Sequence, residues 1–352
     1  MAEILGLGMT HYSGLRFVDA DMSIFLRHTL EGNRVPSAMK DPANWPEAMR
    51  REWSNDRGAA AAVEHRQRHL SAFRAMKAEL VRFRPDFVLI WGDDQYENFI
   101  EDVVPPFCIY ILDQMISTPF APDPHQLDGP NPWGEAPDVT FLHRGHSQGA
   151  AYLAEQLSDR GIDVPYAYRL RHHRGLSHSF INTLMYLDYE REGFEFPVVP
   201  FHVNCYGGDL IRTQGGHLTP GNEKEHPDPP APSAHACFDL GRAIGLVLAA
   251  SPWRVALVAS SSWSHAFLTA KHSWIYPDHQ SDRARLADLR AGAYARWRDL
   301  TRSEIESAGQ HEFRNWICLA GAMSEFGAKV EILDYLESYV MNSNKCLAVL
   351  RP

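Results

Sequence analysis

Four short runs of consecutive apolar residues stand out along the chain: "EILGLGM" (3–9), "DFVLIWG" (86–92), "PVVPFHVN" (197–204) and "WRVALVAS" (253–260). Their length and lack of alternation predict strands buried on both faces. Between them the apolar spacing lengthens to that of a helix. In residues 58–83, Val63, Leu70, Phe73, Met76 and Leu80 share one face at a 3.6-residue period. Residues 237–250 and 282–308 read as two further helices. Strands alternating with helices predict an α/β fold with a mainly parallel central sheet flanked by helices.

Two stretches interrupt this rhythm. Residues 123–137 and 207–232 are rich in Pro, Gly and Asp and predict long loops, of the kind that serve as lids or insertions. The tail from Lys329, "KVEILDYLESYV" followed by "KCLAVL", predicts one or two edge strands. No repeat and no sharp change of composition divides the chain, so residues 1–352 read as one domain.

Composition narrows the class without naming a function. With 45% hydrophobic and 22% charged residues the chain reads as soluble and globular. A formal charge of -10 argues against a nonspecific nucleic-acid binder, which needs clustered Lys and Arg. The most apolar window, 243–263, is broken by Pro252 and Arg254 and predicts no membrane span. The N-terminal "MAEILGLGMTHY" lacks the basic region and apolar run of a signal peptide, so a cytoplasmic location is expected. Five scattered cysteines without a CxxC pair suggest neither a disulfide framework nor a thiolate zinc site. The 18 histidines are the conspicuous supply of ligands and proton carriers.

Each predicted strand runs straight into polar residues: Thr10 and His11, then Asp93, Asp94 and Gln95, then Asn204 and Tyr206, then Ser261 to His265. The carboxyl ends of parallel strands form the edge where ligands bind, so these clusters are expected to meet in one cleft. "SSSWSHAF" lacks the glycines of a nucleophile elbow, and no GxGxxG or P-loop follows a strand. What remains is imidazole, carboxylate and amide, a donor set for a redox-active or Lewis-acid metal. Plainer roles stand beside this one. His11 could cap a turn, His65 and His69 read as surface histidines of a solvated helix, and His172 and His173 lie among arginines.

Seven segments taken in order carry a resemblance: "GLGMTHYSGL" (6–15), "PDFVLIWGDDQYENF" (85–99), "GLSHSF" (175–180), "FPVVPFHVNCY" (196–206), "PSAHACFDLGRAI" (232–244), "RVALVASSSWSH" (254–265) and "HEFRNWICLAGAM" (311–323). Together they resemble the class III extradiol ring-cleavage dioxygenases, the superfamily of the protocatechuate 4,5-dioxygenase β subunit. The resemblance implies a non-haem Fe(II) held by two histidines and a glutamate, with positions left open for a catecholate and O₂. By position it implies His11 and Glu312 as metal ligands and His265 as the catalytic proton carrier. His178 is implied as a second active-site histidine.

The departure falls in "GDDQYENF". Where the family carries its second histidine ligand, this chain has Gln95. Gln95 could bind through its amide oxygen, Asp94 or Glu97 could take its place, or His178 or His311 could substitute; a cleft that has lost its metal is the fourth possibility. The expectation is therefore an Fe(II) dioxygenase with His11, Gln95 and Glu312 on the metal and His265 with His178 moving protons. It would open a catechol-like or aminophenol-like ring with O₂ and act as a homo-oligomer, with a small subunit as a possible addition. Two rivals are a non-catalytic member of the fold that binds a small aromatic or a protein, and a zinc hydrolase or lyase.

Overall fold

The computed structural model describes residues 3–122, 127–172, 175–207 and 229–352. Ten strands are described: β1 Ile4–Met9, β2 Phe87–Gly92, β3 Phe107–Tyr110, β4 Gln114–Ser117, β5 Phe141–Arg144, β6 Tyr166–Ala167, β7 Val198–Val203, β8 Val255–Ser260, β9 Lys329–Leu336 and β10 Lys345–Arg351. Eight of them form one sheet in the order β6-β3-β7-β2-β8-β1-β10-β9, and β4 and β5 form a separate antiparallel ribbon. The central four, β7, β2, β8 and β1, are the predicted apolar runs and lie mutually parallel.

Their residues are buried throughout, because both faces are covered. On one face Leu89, Trp91, Phe201, Leu257 and Ala259 join the core beneath α4 (Ser147–Ser158), α6 (Ala234–Ala249) and α9 (Phe313–Ser324). On the other, Leu5, Leu7, Val88, Ile90, Val258 and Val349 pack beneath α3 (Ala59–Phe83) and α5 (His178–Leu187). The packing is close enough to demand glycine: a Cβ on Gly241 of α6 would lie 1.9 Å from the Cys318 carbonyl of α9. A Cβ on Gly8 of β1 would lie 2.1 Å from the Trp316 ring.

Several expectations are corrected. The helix foreseen over 282–308 is broken into α7 (His279–Arg290), a 3₁₀ segment and α8 (Arg302–Ser307), because the chain turns at Gly292 with φ +66°. The C-terminal tail does supply an edge strand, β9, but β10 lies inside the sheet between β9 and β1, antiparallel to both. His65 and His69 are buried, not on the surface, and feel the charge of Lys345. The short strands β3 to β6 were not foreseen, since runs of four residues or fewer carry little pattern. Of the two predicted loops, residues 123–126 and 208–228 lie outside the described residues, and the covering role expected of 207–232 falls largely on them. Among the described residues no helix is long and apolar enough to cross a membrane.

Candidate metal centre

The parallel register brings the strand ends level. Met9 pairs with Ser260, Trp91 with Ala259 and Gly92 with His202, so the residues that follow β1, β8, β2 and β7 emerge along one edge. His11, His265, Glu312 and Asp93 meet there, all buried. His11 Nε2 lies 3.3 Å from Glu312 Oε2 and 3.9 Å from Asp93 Oδ1. On the other side of the same glutamate oxygen, His265 Nε2 lies at 3.5 Å.

His11 is held by β8. Its Nδ1 is 3.0 Å from the Ser260 carbonyl, which can only accept, so Nδ1 carries a proton and Nε2 is the nitrogen turned toward the cleft, where burial lowers the ring's pKa and the Glu312 and Asp93 charges more than reverse it. Three potential ligand atoms then converge: His11 Nε2, Glu312 Oε2 and Asp93 Oδ1. Glu312 Oε2 and both Asp93 oxygens have no hydrogen-bond partner although they are buried. Buried acceptors without donors are rare and costly, and a cation, a shared proton or a bound water would satisfy them. Spacings of 3.3 and 3.9 Å suit donors grouped about one first-row dication, whose own bonds run at about 2.0–2.2 Å. His178 completes the group, since His11, Asp93 and His178 each offer a ligand atom within 4.8 Å of the others. The residues present therefore fit a metal.

The motif "EFRNW" shows how Glu312 is placed at the start of α9. Arg314, wholly buried, donates to the carbonyls of Cys205 at 3.0 Å and Pro232 at 2.8 Å, tying in the end of β7. Asn315 donates to the Ser260 carbonyl and Trp316 to that of Ser261, both at 3.1 Å, tying in the end of β8. One turn of helix thus locks the ends of β7 and β8 around its leading carboxylate.

The β2 end is arranged differently. The Asp94 carboxylate accepts backbone N–H groups of Glu97, Asn98 and Phe99, which curls the loop and puts Tyr96 at φ +64°. Glu97 in turn accepts the backbone N–H of His178 at 2.8 Å and faces its Nδ1 at 2.9 Å. Gln95, half-buried, turns its amide nitrogen to the Tyr206 hydroxyl at 2.6 Å and to Glu312 Oε1 at 3.4 Å. Tyr206 itself donates to Glu312 Oε1. Asp93 is fixed through its backbone: the hydroxyls of Ser177 and Ser179, on either side of His178, donate to its carbonyl at 2.9 and 2.6 Å. Its carboxylate is left facing the cleft.

Charge follows from these contacts. Burial works against the Glu312 carboxylate, but His265 and His11 hold its pKa below the usual range. Burial and then the Glu312 charge push Asp93 up to about 6. For His178, burial lowers the pKa, and the Glu97 contact more than reverses it, to about 9. His265 is lowered by burial, so its ring is neutral at pH 7.

Of the sequence-predicted residues, His11, His265, Glu312, Gln95 and His178 all line this cleft. Asp94 and Glu97 lie in it too, but as loop and histidine supports. His311 is buried beside it, its ring stacked 5.9 Å from that of Tyr206. His172 pairs with Asp102 on the outside of the molecule. Sequence reasoning placed Asp93 and Tyr206 at this edge but assigned neither the Asp93 carboxylate nor the Tyr206 hydroxyl a role. Both directly follow buried parallel strands, and that position was the signal available.

Residues 228–344 match the family described as the catalytic LigB subunit of aromatic ring-opening dioxygenase. Over that third of the chain the similarity is to this ring-opening dioxygenase family, and relatives of modest identity resemble the chain more widely. Relatives are named 2,3-dihydroxyphenylpropionate/2,3-dihydroxicinnamic acid 1,2-dioxygenase. The one from Paraburkholderia phymatum is 28% identical over 287 residues, covering 74% of this chain and 83% of its own. That from Paraburkholderia xenovorans is 26% identical over 285 residues with the same coverage, 74% and 83%. A third, from Photorhabdus laumondii, is 23% identical over 59% of this chain and 52% of its own.

Proposed function

We propose that this protein is an Fe(II)-dependent extradiol dioxygenase that opens a catechol-like ring with both atoms of O₂. The observation that carries the reading is the buried convergence of His11 Nε2, Glu312 Oε2 and Asp93 Oδ1 beside His265, with carboxylate oxygens that no hydrogen bond satisfies. In this reading His11 and Glu312 hold the metal and Asp93 supplies the third donor. Gln95, the residue at the family's ligand position, steadies Glu312 from the side through its amide nitrogen. The iron, when bound, supplies the electronic link through which a singlet catecholate and triplet oxygen can react.

The chain's own residues do the rest. His265, neutral and 3.5 Å from Glu312, takes a substrate hydroxyl proton. His178, with Nδ1 committed to Glu97, keeps Nε2 as the nitrogen with which it holds or returns a proton. The burial of all these groups keeps bulk water from the reacting atoms. Because the relatives are named for catechols bearing a three-carbon acid side chain, such compounds head the substrate panel, followed by simple catechols and aminophenols.

The test is anaerobic reconstitution with Fe(II), metal analysis, and oxygen uptake on adding each compound. One iron per chain and uptake matched to ring-cleaved product are expected. Turnover with zinc in the absence of oxygen would sink the dioxygenase reading, and failure to take up any metal would sink the ligand set.

A further inference from the structure

The geometry points to Asp282 as a positioning residue that sets the spacing between His265 and Glu312, an inference that rests on the site reading above. Asp282 lies in the first turn of α7 and is wholly buried. Its carboxylate accepts from the Ser264 backbone N–H, 3.2 Å from each oxygen, from Gln310 Nε2 at 2.6 Å and from Asn344 Nδ2 at 2.7 Å. Ser264 immediately precedes His265, and Gln310 stands two residues before Glu312. Asn344 belongs to the segment that pairs with the same turn, since Trp263 donates to the Asn344 carbonyl at 2.9 Å. One carboxylate thus grips both segments that carry site residues and the strand behind them.

Direct contacts set the height of the two backbones: His265 N–H donates to the Gly309 carbonyl at 2.9 Å and the Ser264 hydroxyl to the Ala308 carbonyl at 2.5 Å. Asp282 adds the third point, which prevents rotation about that pair of bonds. A buried carboxylate is costly unless its oxygens are satisfied, and here they are satisfied by hydrogen bonds. Its hydrogen-bond partners among the described residues are all N–H donors, so an apolar side chain in its place would leave them unmatched, and an amide would match only some. Such a group is retained where several donors from separate segments need one common acceptor.

The test uses Asp282→Asn, which keeps the shape but replaces an acceptor with a donor, and Gln310→Leu, which removes only the arm toward Glu312. In the metal-free proteins, hydrogen exchange should quicken together at 263–266 and 309–313 in Asp282→Asn, and at 309–313 alone in Gln310→Leu, with β2 unchanged. With Co(II) as the probe, affinity should fall by about 10–100-fold in Asp282→Asn, the range for lost outer-shell partners, and the visible absorption bands should shift. Asp282→Glu should restore part of both. Exchange that quickens only within α7, or unchanged affinity and bands in both variants, overturns the proposal. If Asp282→Asn does not fold, Gln310→Leu decides it. Should the unaltered protein take up no Co(II), the metal reading falls, and the exchange data alone then judge Asp282.

Discussion

At the ends of β1 and β8, each polar side chain has one job and the scaffold leaves it no other. His11 is pinned through Nδ1 to Ser260, and Glu312 leads a helix whose next turn is clamped to the ends of two strands, β7 and β8. At the end of β2, by contrast, four polar residues from Asp93 to Glu97 divide the work among themselves. Asp94 folds the loop, Glu97 holds His178, Gln95 braces Glu312, and only the Asp93 carboxylate keeps unpartnered oxygens. The difference teaches that residue type alone does not mark a ligand. The deciding quantity is how many of its lone pairs are already spent.

The largest expected effect breaks the first half. Glu312→Ala removes the acceptor shared by His11 and His265 and should lower metal affinity by more than the ~100-fold typical of a lost outer-shell partner. Metal analysis after gel filtration reads this directly. His265→Gln should leave metal content intact while lowering kcat by about 10²–10⁴-fold, the usual worth of a positioned proton carrier. Loss of metal in that variant would instead make His265 a ligand.

The second half is sharpened by a pair. Gln95→Ala should weaken metal binding by at most about 10–100-fold, the range of an outer-shell partner, and Asp93→Asn by more, because in the proposed site Gln95 acts on Glu312 and Asp93 on the metal. The reverse order, or tighter iron binding in Gln95→His, would restore Gln95 as the third ligand.

The smallest effect lies behind the β1 half. Lys345 sits 3.9 Å from the centre of the Tyr12 ring, next to His11, and His65 and His69 are buried beside it. Burial, and then the Lys345 charge, lowers His69 to about 3 and His65 well below the ordinary value. The unfolded chain therefore binds more protons than the folded one below pH ~6.5, and stability should fall as pH drops from there toward 3. Each such histidine contributes up to about 1.4 kcal/mol per pH unit in that window. His69→Gln, which keeps a donor for the His65 carbonyl, should flatten part of this slope in thermal melts between pH 5 and 7. An unchanged slope would mean that other groups set it.

Much of the architecture was legible in the chain. Unbroken apolar runs at residues 3–9, 86–92, 197–204 and 253–260 can be buried only as central parallel strands, because their side chains need cover on both faces. From that, the meeting of His11, Asp93, Tyr206 and His265 at one edge follows from topology, and the resemblance added Glu312. The break at Gly292 was not legible, since helical spacing continues across a turn that only the packing of α7 and α8 selects. Nor was the burial of His65 and His69, near Lys345, which lies nearly three hundred residues on in sequence.

By itself, then, the sequence determined the strands, their order along the chain and the kinds of donor at their ends, because these depend on local hydrophobicity and residue chemistry. The tertiary structure alone decided which donors remain available. Asp94 and Glu97 carry the same charge as Asp93, yet their oxygens are occupied by N–H groups brought by the loop and by α5. Hydrogen-bond accounting across strands far apart in the chain is a property of the folded arrangement, and it is what singles out Asp93 and gives Gln95 its partners.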